Sequence, residues 1–132
     1  MSHEIPQVFR DVQVQVKTIL IVEDDKSIGN FLIEALTQET AHHAMLAADG
    51  LQALQIIREI KPALFVLDYH LPSMNGLELY DQLHHIQGLE HVPALMLSAR
   101  LPKDEMSKRQ LMGMDKPMNL SEFLDTVDAL LA

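Results

Sequence analysis

Acidic, hydroxyl and basic residues follow short apolar segments in this 132-residue chain. Glu23 and Asp24 follow TILIV, Asp68 follows ALFVL, Ser98 ends VPALMLS, and Lys116 lies in GMDKPMN. Neighbouring carboxylates repel one another and raise each other's pKa unless a cation lies among them. If these residues meet in the fold, the carboxylates indicate a site for a hard divalent cation, Mg²⁺ or Mn²⁺, which prefers oxygen ligands.

The same residues can support the transfer of a phosphoryl group. An aspartate beside a divalent cation, such as Asp68, can accept a phosphoryl group as an aspartyl phosphate. A lysine neutralises charge on the transferred group, and a hydroxyl can donate a hydrogen bond to one of its oxygens. Each residue alone has an ordinary structural explanation, because aspartates cap helices and form turns. The combination favours the chemical interpretation.

Strands and helices alternate along the chain. TILIV, ALFVL and VPALMLS are continuous apolar runs typical of strands buried on both faces, and HAMLAA is a weaker run of the same kind. The segments between and after them have helical patterns: DDKSIGNFLIEALTQE, LQALQIIREI, GLELYDQLHHI, PKDEMSKRQLM and NLSEFLDTVDALL. This alternation predicts an α/β fold with a doubly wound parallel sheet. The polar residues named above are then expected at the carboxyl edge of the sheet.

Several helix ends are also predicted. Asp25 or Ser27 is expected to cap the first helix, and Pro62 is expected to end the second. Asn119, with Glu122 three residues later, predicts a start of the capping-box type for the last helix.

Residues 1–16 stand apart from this pattern. VQVQV, at residues 12–16, alternates apolar and polar residues, as a half-exposed strand does. We interpret residues 1–16 as an N-terminal extension, either flexible or forming an added strand, and residues 17–132 as one domain.

The composition excludes several classes of function. Ten basic and nineteen acidic residues give a net charge of −9, which argues against direct nucleic-acid binding. The chain has no cysteine, so disulfides and thiol chemistry are excluded. No apolar run approaches the roughly 18 residues of a membrane span, and the N-terminus lacks the layout of a secretory signal. A soluble, cytoplasmic domain is expected.

Four motifs occur in a characteristic order: ILIVEDD, FVLDYHLPSMNGLEL, MLSAR and DKP. Over about residues 17–131, the sequence resembles the receiver domain of two-component response regulators. The resemblance implies a three-layer, flavodoxin-like fold with a five-stranded parallel sheet in the order 2-1-3-4-5.

The resemblance also implies roles at a metal site. Asp68 matches the phosphorylated aspartate, which is itself a metal ligand. Asp24 matches a direct ligand of Mg²⁺ or Mn²⁺, and Glu23 matches a ligand that acts through water. His70 matches the position whose backbone carbonyl completes the metal site.

Three further residues match positions around the phosphoryl group. Ser98 matches the hydroxyl that turns toward it, Ala99 the small residue that leaves access to it, and Lys116 the lysine that pairs with it. In the family a cis bond usually precedes the residue matched by Pro117.

The implied function is that of a phosphorylation-activated switch. A histidine kinase or a phosphotransfer protein would donate the phosphoryl group, and an unknown downstream protein or effector domain would respond. The domain would catalyse only its own phosphorylation and dephosphorylation. The side chains of His70 and Arg100, each two residues past a site residue, are expected to tune the loss of phosphate.

The segment before Lys116 departs from the family pattern. Gly113 is followed by only Met114 and Asp115 before the lysine, and the usual aromatic residue is absent. The fifth strand is therefore either short or recruits part of KRQLMGM, and we favour recruitment with a shortened fourth helix. The family's dimer through the fourth helix, fifth strand and fifth helix remains open.

Two other functions are compatible with the same residues. The first is a degenerate receiver that acts as a phosphorylation-independent interaction module, which the short fifth strand would allow. The second is a metal-dependent phosphatase of the haloacid dehalogenase kind. That family places a second aspartate two residues after the nucleophile, where this chain has His70.

Overall fold

Parallel strands form a single sheet in a computed structural model that describes residues 15–116 and 118–132. Within these residues the sheet has five strands in the order β2-β1-β3-β4-β5, so the predicted fold class and strand order are confirmed. The strands are β1 (Thr18–Val22), β2 (His43–Ala47), β3 (Leu64–Asp68), β4 (Ala94–Ser98) and β5 (Met112–Asp115).

Helices cover both faces of the sheet because alternate strand residues point to opposite sides. Leu20 and Phe65 pack on one face with residues of the second, third and fourth helices. Ile21 and Val66 pack on the other face with residues of the first and fifth helices. The helices are α1 (Lys26–Glu39), α2 (Gly50–Ile56), α3 (Gly76–His84), α4 (Lys103–Lys108) and α5 (Leu120–Leu131).

Short polar side chains start the helices that flank the carboxyl edge of the sheet. Asp25, one of the two predicted caps for α1, accepts hydrogen bonds from the backbone N–H groups of Ser27 and Ile28. Asn119 caps α5 by accepting from the Glu122 N–H, so the predicted cap is confirmed, but Glu122 does not return the bond that would complete a capping box. These bonds satisfy N–H groups that have no partner within the helix.

Helix α2 ends earlier than its apolar pattern predicts. The pattern extends to Ile60, but the helix ends at Ile56. The following N–H groups of Arg58 and Glu59 bond to carbonyls three residues back, which tightens the last turn before β3.

Helix α4 also ends early, and β5 begins four residues later. Gln110 takes a left-handed conformation with φ 53°, and the Leu111 N–H donates to the Met106 carbonyl at 3.0 Å. The Gln110 N–H donates to the Ser107 carbonyl at 3.1 Å, which completes a Schellman motif. The chain then enters β5 at Met112, so the predicted recruitment from KRQLMGM is confirmed.

The C-terminal end of α4 is attached to α3 by an ion pair. The Arg109 Nε lies 2.8 Å from Asp81 Oδ1, and a second guanidinium nitrogen lies 2.8 Å from Asp81 Oδ2. The Arg109 hydrogen bonds lower the pKa of Asp81, and the Asp81 carboxylate raises the pKa of Arg109. This bidentate geometry fixes the position of the end of α4 relative to α3.

Most of the predicted N-terminal extension, residues 1–16, lies outside the described residues, so its interpretation stays a prediction. The peptide bond before Pro117 also lies outside them. Val16 is exposed and precedes β1, and the Lys17 Nζ donates to the Leu131 carbonyl at 2.6 Å. Within residues 15–116 and 118–132, no helix combines the length and apolar character needed to cross a membrane.

We expect Gln110→Gly to stabilise the protein by about 0.5–1 kcal/mol, because a left-handed conformation is costly for a residue with a Cβ atom. Urea unfolding would show a higher midpoint with an unchanged slope. Gln110→Ala is the matched control, since alanine keeps the Cβ atom. Equal midpoints for the two variants would contradict this account of how α4 ends.

Candidate functional site

The strand ends bring the predicted site residues to one edge of the sheet. Glu23 and Asp24 follow β1, Asp68 ends β3, and Ser98 ends β4. Lys116 follows β5, and its backbone N–H donates to the Ser98 carbonyl at 2.9 Å. The pairing of β5 with β4 therefore places the lysine beside residues far from it in sequence.

Three carboxylates form an acidic cluster at this edge. Oxygens of Glu23, Asp24 and Asp68 lie within 4.8 Å of one another. Glu23 and Asp68 are 2% and 5% exposed, whereas Asp24 is exposed to solvent. A set of oxygen donors that is open on one side fits Mg²⁺ or Mn²⁺, because these ions retain water and take few protein carboxylates.

Lys116 lies between the two buried carboxylates. Its Nζ is 2.6 Å from Glu23 Oε1 and 3.4 Å from Asp68 Oδ1. Burial lowers the pKa of Lys116, but the hydrogen bond to Glu23 and the charge of Asp68 outweigh burial and raise it overall. The lysine is therefore held in its charged form.

The pKa of Glu23 is raised as well, but there burial acts in the upward direction. Burial raises the pKa of Glu23, the hydrogen bond from Lys116 lowers it, and interactions with Asp68 raise it again. The net direction is upward because burial, the largest of these effects, and the Asp68 carboxylate together outweigh the hydrogen bond from Lys116.

The Ser98 hydroxyl is bonded to the backbone of its own loop. It donates to the Arg100 carbonyl at 2.9 Å and accepts from the Arg100 N–H at 3.1 Å. The side chain is fully buried. Ser98 thus lies at the predicted edge of the sheet, and its hydroxyl is engaged by Arg100.

An apolar opening adjoins the charged residues. Ala99 is exposed here, as its predicted role in access requires. A cavity of about 500 Å³ extends from Lys116 along α1 and is lined by Ser27, Ile28, Phe31, Ala99, Lys116 and Met118. Half of the Phe31 surface is exposed, so the opening is bordered by an accessible aromatic ring.

The two residues predicted to tune the site both have exposed side chains. The His70 N–H donates to Asp68 Oδ1 at 3.3 Å, and the His70 ring meets the Tyr69 ring edge-on at 4.9 Å. Arg100 contacts Ser98 through backbone atoms. His70 therefore adjoins the acidic cluster through Asp68, whereas Arg100 adjoins Ser98.

Gly76 is a structural requirement of the site that the residue types alone did not reveal. A Cβ atom at Gly76 would lie 2.5 Å from the Asp68 carbonyl oxygen and 2.9 Å from the Tyr69 Cα. The Gly76 N–H donates to the Tyr69 carbonyl at 2.8 Å. Only glycine, which has no Cβ atom, allows α3 to start this close to the Asp68 loop. The sequence feature that indicates this requirement is the position of Gly76 at the end of the segment SMNG.

The profile of the response regulator receiver domain family matches residues 19–128. This chain belongs to that family. The polar-differentiation response regulator DivK of Brucella anthropi is 28% identical over 119 residues, which cover 87% of this chain and 96% of that protein. The match therefore extends over nearly the whole length of this relative.

Solved structures agree with the receiver fold. The chemotaxis protein CheY4 of Vibrio cholerae has a TM-score of 0.82 and 26% identity, covering 89% of this chain and all of the other. A CheY-like receiver domain protein from Methanospirillum hungatei has a TM-score of 0.81 and covers 89% of this chain and 94% of the other. At 24% identity, the latter likeness shows the fold alone.

In the absence of divalent cations, we expect ionisation of Glu23 to destabilise the receiver domain. The folded pKa of Glu23 lies above the ordinary value of 4.5, so its stabilising contribution is full below that pH. The contribution is lost as the pH rises through the raised pKa. Urea unfolding in EDTA from about pH 4 to about pH 8 measures this loss.

Glu23→Gln is the comparison for this experiment, because the glutamine does not titrate. The stability of the variant, relative to that of the wild type, should rise as the pH increases across this range. Parallel stability curves for the two proteins would contradict the upward shift of the Glu23 pKa.

Proposed function

We propose that this receiver domain is a phosphorylation-activated switch of a two-component phosphorelay, with Asp68 as the phosphoacceptor. The observation that supports this most directly is the position of the buried Asp68 carboxylate. It lies 3.4 Å from the Lys116 ammonium and within a cluster of oxygen ligands at the carboxyl edge of the sheet. A nucleophile, a fixed positive charge and a metal-binding set thus share one site.

The proposed reaction transfers a phosphoryl group from a donor histidine to Asp68. A carboxylate oxygen of Asp68 forms a bond to phosphorus while the phosphorus–nitrogen bond to the donor imidazole breaks, and that nitrogen keeps the electron pair. Lys116 offsets negative charge on the phosphoryl oxygens. Hydrolysis of the aspartyl phosphate by water returns Asp68 and inorganic phosphate, and in this proposal the domain catalyses only these two reactions.

The proposed metal ligands are residues of the acidic cluster and its neighbour. Asp24 and Asp68 would bind Mg²⁺ or Mn²⁺ directly, Glu23 through water, and His70 through its backbone carbonyl. When bound, the ion supplies positive charge that balances the carboxylates and the phosphoryl oxygens. The oxygen-only donor set supports Mg²⁺ or Mn²⁺ over ions that prefer nitrogen or sulfur ligands, such as Zn²⁺ and Cu²⁺.

Ser98 is proposed to respond to phosphorylation. Its hydroxyl donates to the Arg100 carbonyl in the present structure. To donate to a phosphoryl oxygen instead, it must give up that bond, and a rotation of the side chain toward Asp68 would also break the bond from the Arg100 N–H. Phosphorylation would therefore release the backbone that follows β4.

The partners in this proposal are a histidine kinase or a phosphotransfer protein upstream and an unidentified protein or effector domain downstream. The cytoplasm is the proposed location. The acidic composition, with a net charge of −9, supports the expectation that this domain does not bind nucleic acid directly.

We expect the wild-type protein, with Mg²⁺ and acetyl phosphate, to gain the mass of one phosphoryl group, about 80 Da. Asp68→Asn should show no gain, because the amide is not a nucleophile toward phosphorus. Asp128→Asn, which changes an exposed aspartate near the end of α5, is the matched control and should react as the wild type does. Intact-mass spectrometry measures all three proteins.

Other results of that experiment favour the other functions. No adduct at millimolar Mg²⁺ would favour a degenerate receiver. Steady hydrolysis of small phosphoesters would favour a phosphatase.

We expect His70→Ala and Arg100→Ala each to speed the loss of phosphate about two- to tenfold, which lowers the barrier by at most about 1.4 kcal/mol. Both side chains are exposed, His70 next to Asp68 and Arg100 next to Ser98, and would hinder the attacking water. The decay of the phosphorylated mass over time gives the rate. Arg58→Ala, an exposed change beyond α2, is the control. Unchanged rates in both variants would rule out this role.

A further inference from the structure

A glycine near the middle of β5 lies beneath a methionine of α4. Gly113 pairs with Met96 of the neighbouring strand β4. A Cβ atom built on Gly113 would overlap the Met106 Cε methyl and would lie 3.1 Å from both Leu101 Cδ atoms. Met106 is only 5% exposed. Two side chains from different segments therefore occupy the volume that a larger residue at position 113 would need.

Leu101 connects this contact to the functional site. It follows Arg100, whose carbonyl and N–H both bond to the Ser98 hydroxyl. If Ser98 turns away from Arg100, the backbone next to Leu101 loses the two hydrogen bonds that hold it. A movement of the Ser98 hydroxyl therefore affects Leu101, whose side chain packs against Gly113.

Open volume beside this contact gives the side chains room to move. A cavity of about 360 Å³ lies between α4 and β5 and is lined by Leu101, Lys103, Met106, Ser107, Leu111 and Gly113. Methionine is unbranched and flexible, so its terminal methyl can shift with little cost. The contact can thus repack without unfolding β5.

The two ends of α4 differ in how they are held. Pro102 precedes the helix, and no side chain caps its first N–H groups. At the other end, Arg109 is joined to Asp81 by two hydrogen bonds of 2.8 Å each. The start of α4, next to Leu101, is therefore the end that is free to shift.

We infer that Gly113 provides the clearance in which Leu101 and Met106 repack when Ser98 leaves Arg100. Position 113 is thus a positioning residue of the switch and has no part in phosphoryl transfer. This inference rests on the proposed function, because phosphorylation of Asp68 is what draws the Ser98 hydroxyl away from its loop.

The test compares phosphorylation and repacking in the same samples. The full chain is incubated with Mg²⁺ and acetyl phosphate, intact mass reports the adduct on Asp68, and NMR reports the Leu101 δ-methyl resonances. In the wild type, we expect both the mass gain and a shift of the Leu101 methyl resonances. In Gly113→Ala, we expect the mass gain to remain and the Leu101 shift to fall to less than half.

A second variant separates lost clearance from general damage to the fold. Met106→Ala combined with Gly113→Ala removes the side chain that the new Cβ atom would overlap, so we expect the Leu101 shift to return. Gly29→Ala is the matched control, because its Cβ atom would lie 2.8 Å from two Leu46 methyl carbons on β2, which two strands separate from β4 and Ser98. Its Leu101 shift should equal that of the wild type.

Three results would overturn the inference. The first is a full Leu101 shift in Gly113→Ala, and the second is a failure of the double variant to regain the shift. The third is a phosphorylated wild type in which the Leu101 resonances do not move. An absence of any adduct on Asp68 would overturn the proposed function as well, and intact mass distinguishes that result from the other three.

Discussion

The placement of one ammonium group between two buried carboxylates is the constraint on which the rest of the site depends. Glu23 and Asp68 lie where little water screens their repulsion. Lys116 offsets that repulsion from 2.6 Å and 3.4 Å, but one positive charge does not balance two carboxylates and the nearby Asp24. The remaining negative charge is the physical reason why a hard divalent cation fits this edge of the sheet.

The position of Lys116 at that edge constrains the conformation of the preceding segment, from the end of α4 to β5. The lysine reaches the carboxylates because β5 pairs with β4, and its N–H bonds to the Ser98 carbonyl. The segment available for β5 is short, so α4 must end soon after Met106. The left-handed Gln110 ends the helix at the cost of local backbone strain. The shortness of α4 is therefore linked to the same requirement that completes the charged site.

Local patterns explain why much of the fold was predictable. TILIV is a strand because a continuous β-branched and apolar run favours burial on both faces. The caps at Asp25 and Asn119 were predictable because each bonds N–H groups two or three residues away. The placement of Glu23, Asp68 and Lys116 together followed from the alternation of strands and helices, since parallel strands end at one edge. The early end of α2 was missed because its apolar pattern continues into a tightened turn.

The sequence by itself determined the first four strands, several helix starts and the identity of the groups that meet at the site, because these depend on composition and short-range spacing. Only the tertiary structure decided which partners those groups take. Lys116 lies closer to Glu23 than to Asp68, the Ser98 hydroxyl faces Arg100, and Met106 fills the space above Gly113. Each of these choices depends on register between strands and on packing between helix and sheet. Distances of that kind join residues remote in sequence, and no local pattern of residue types specifies them.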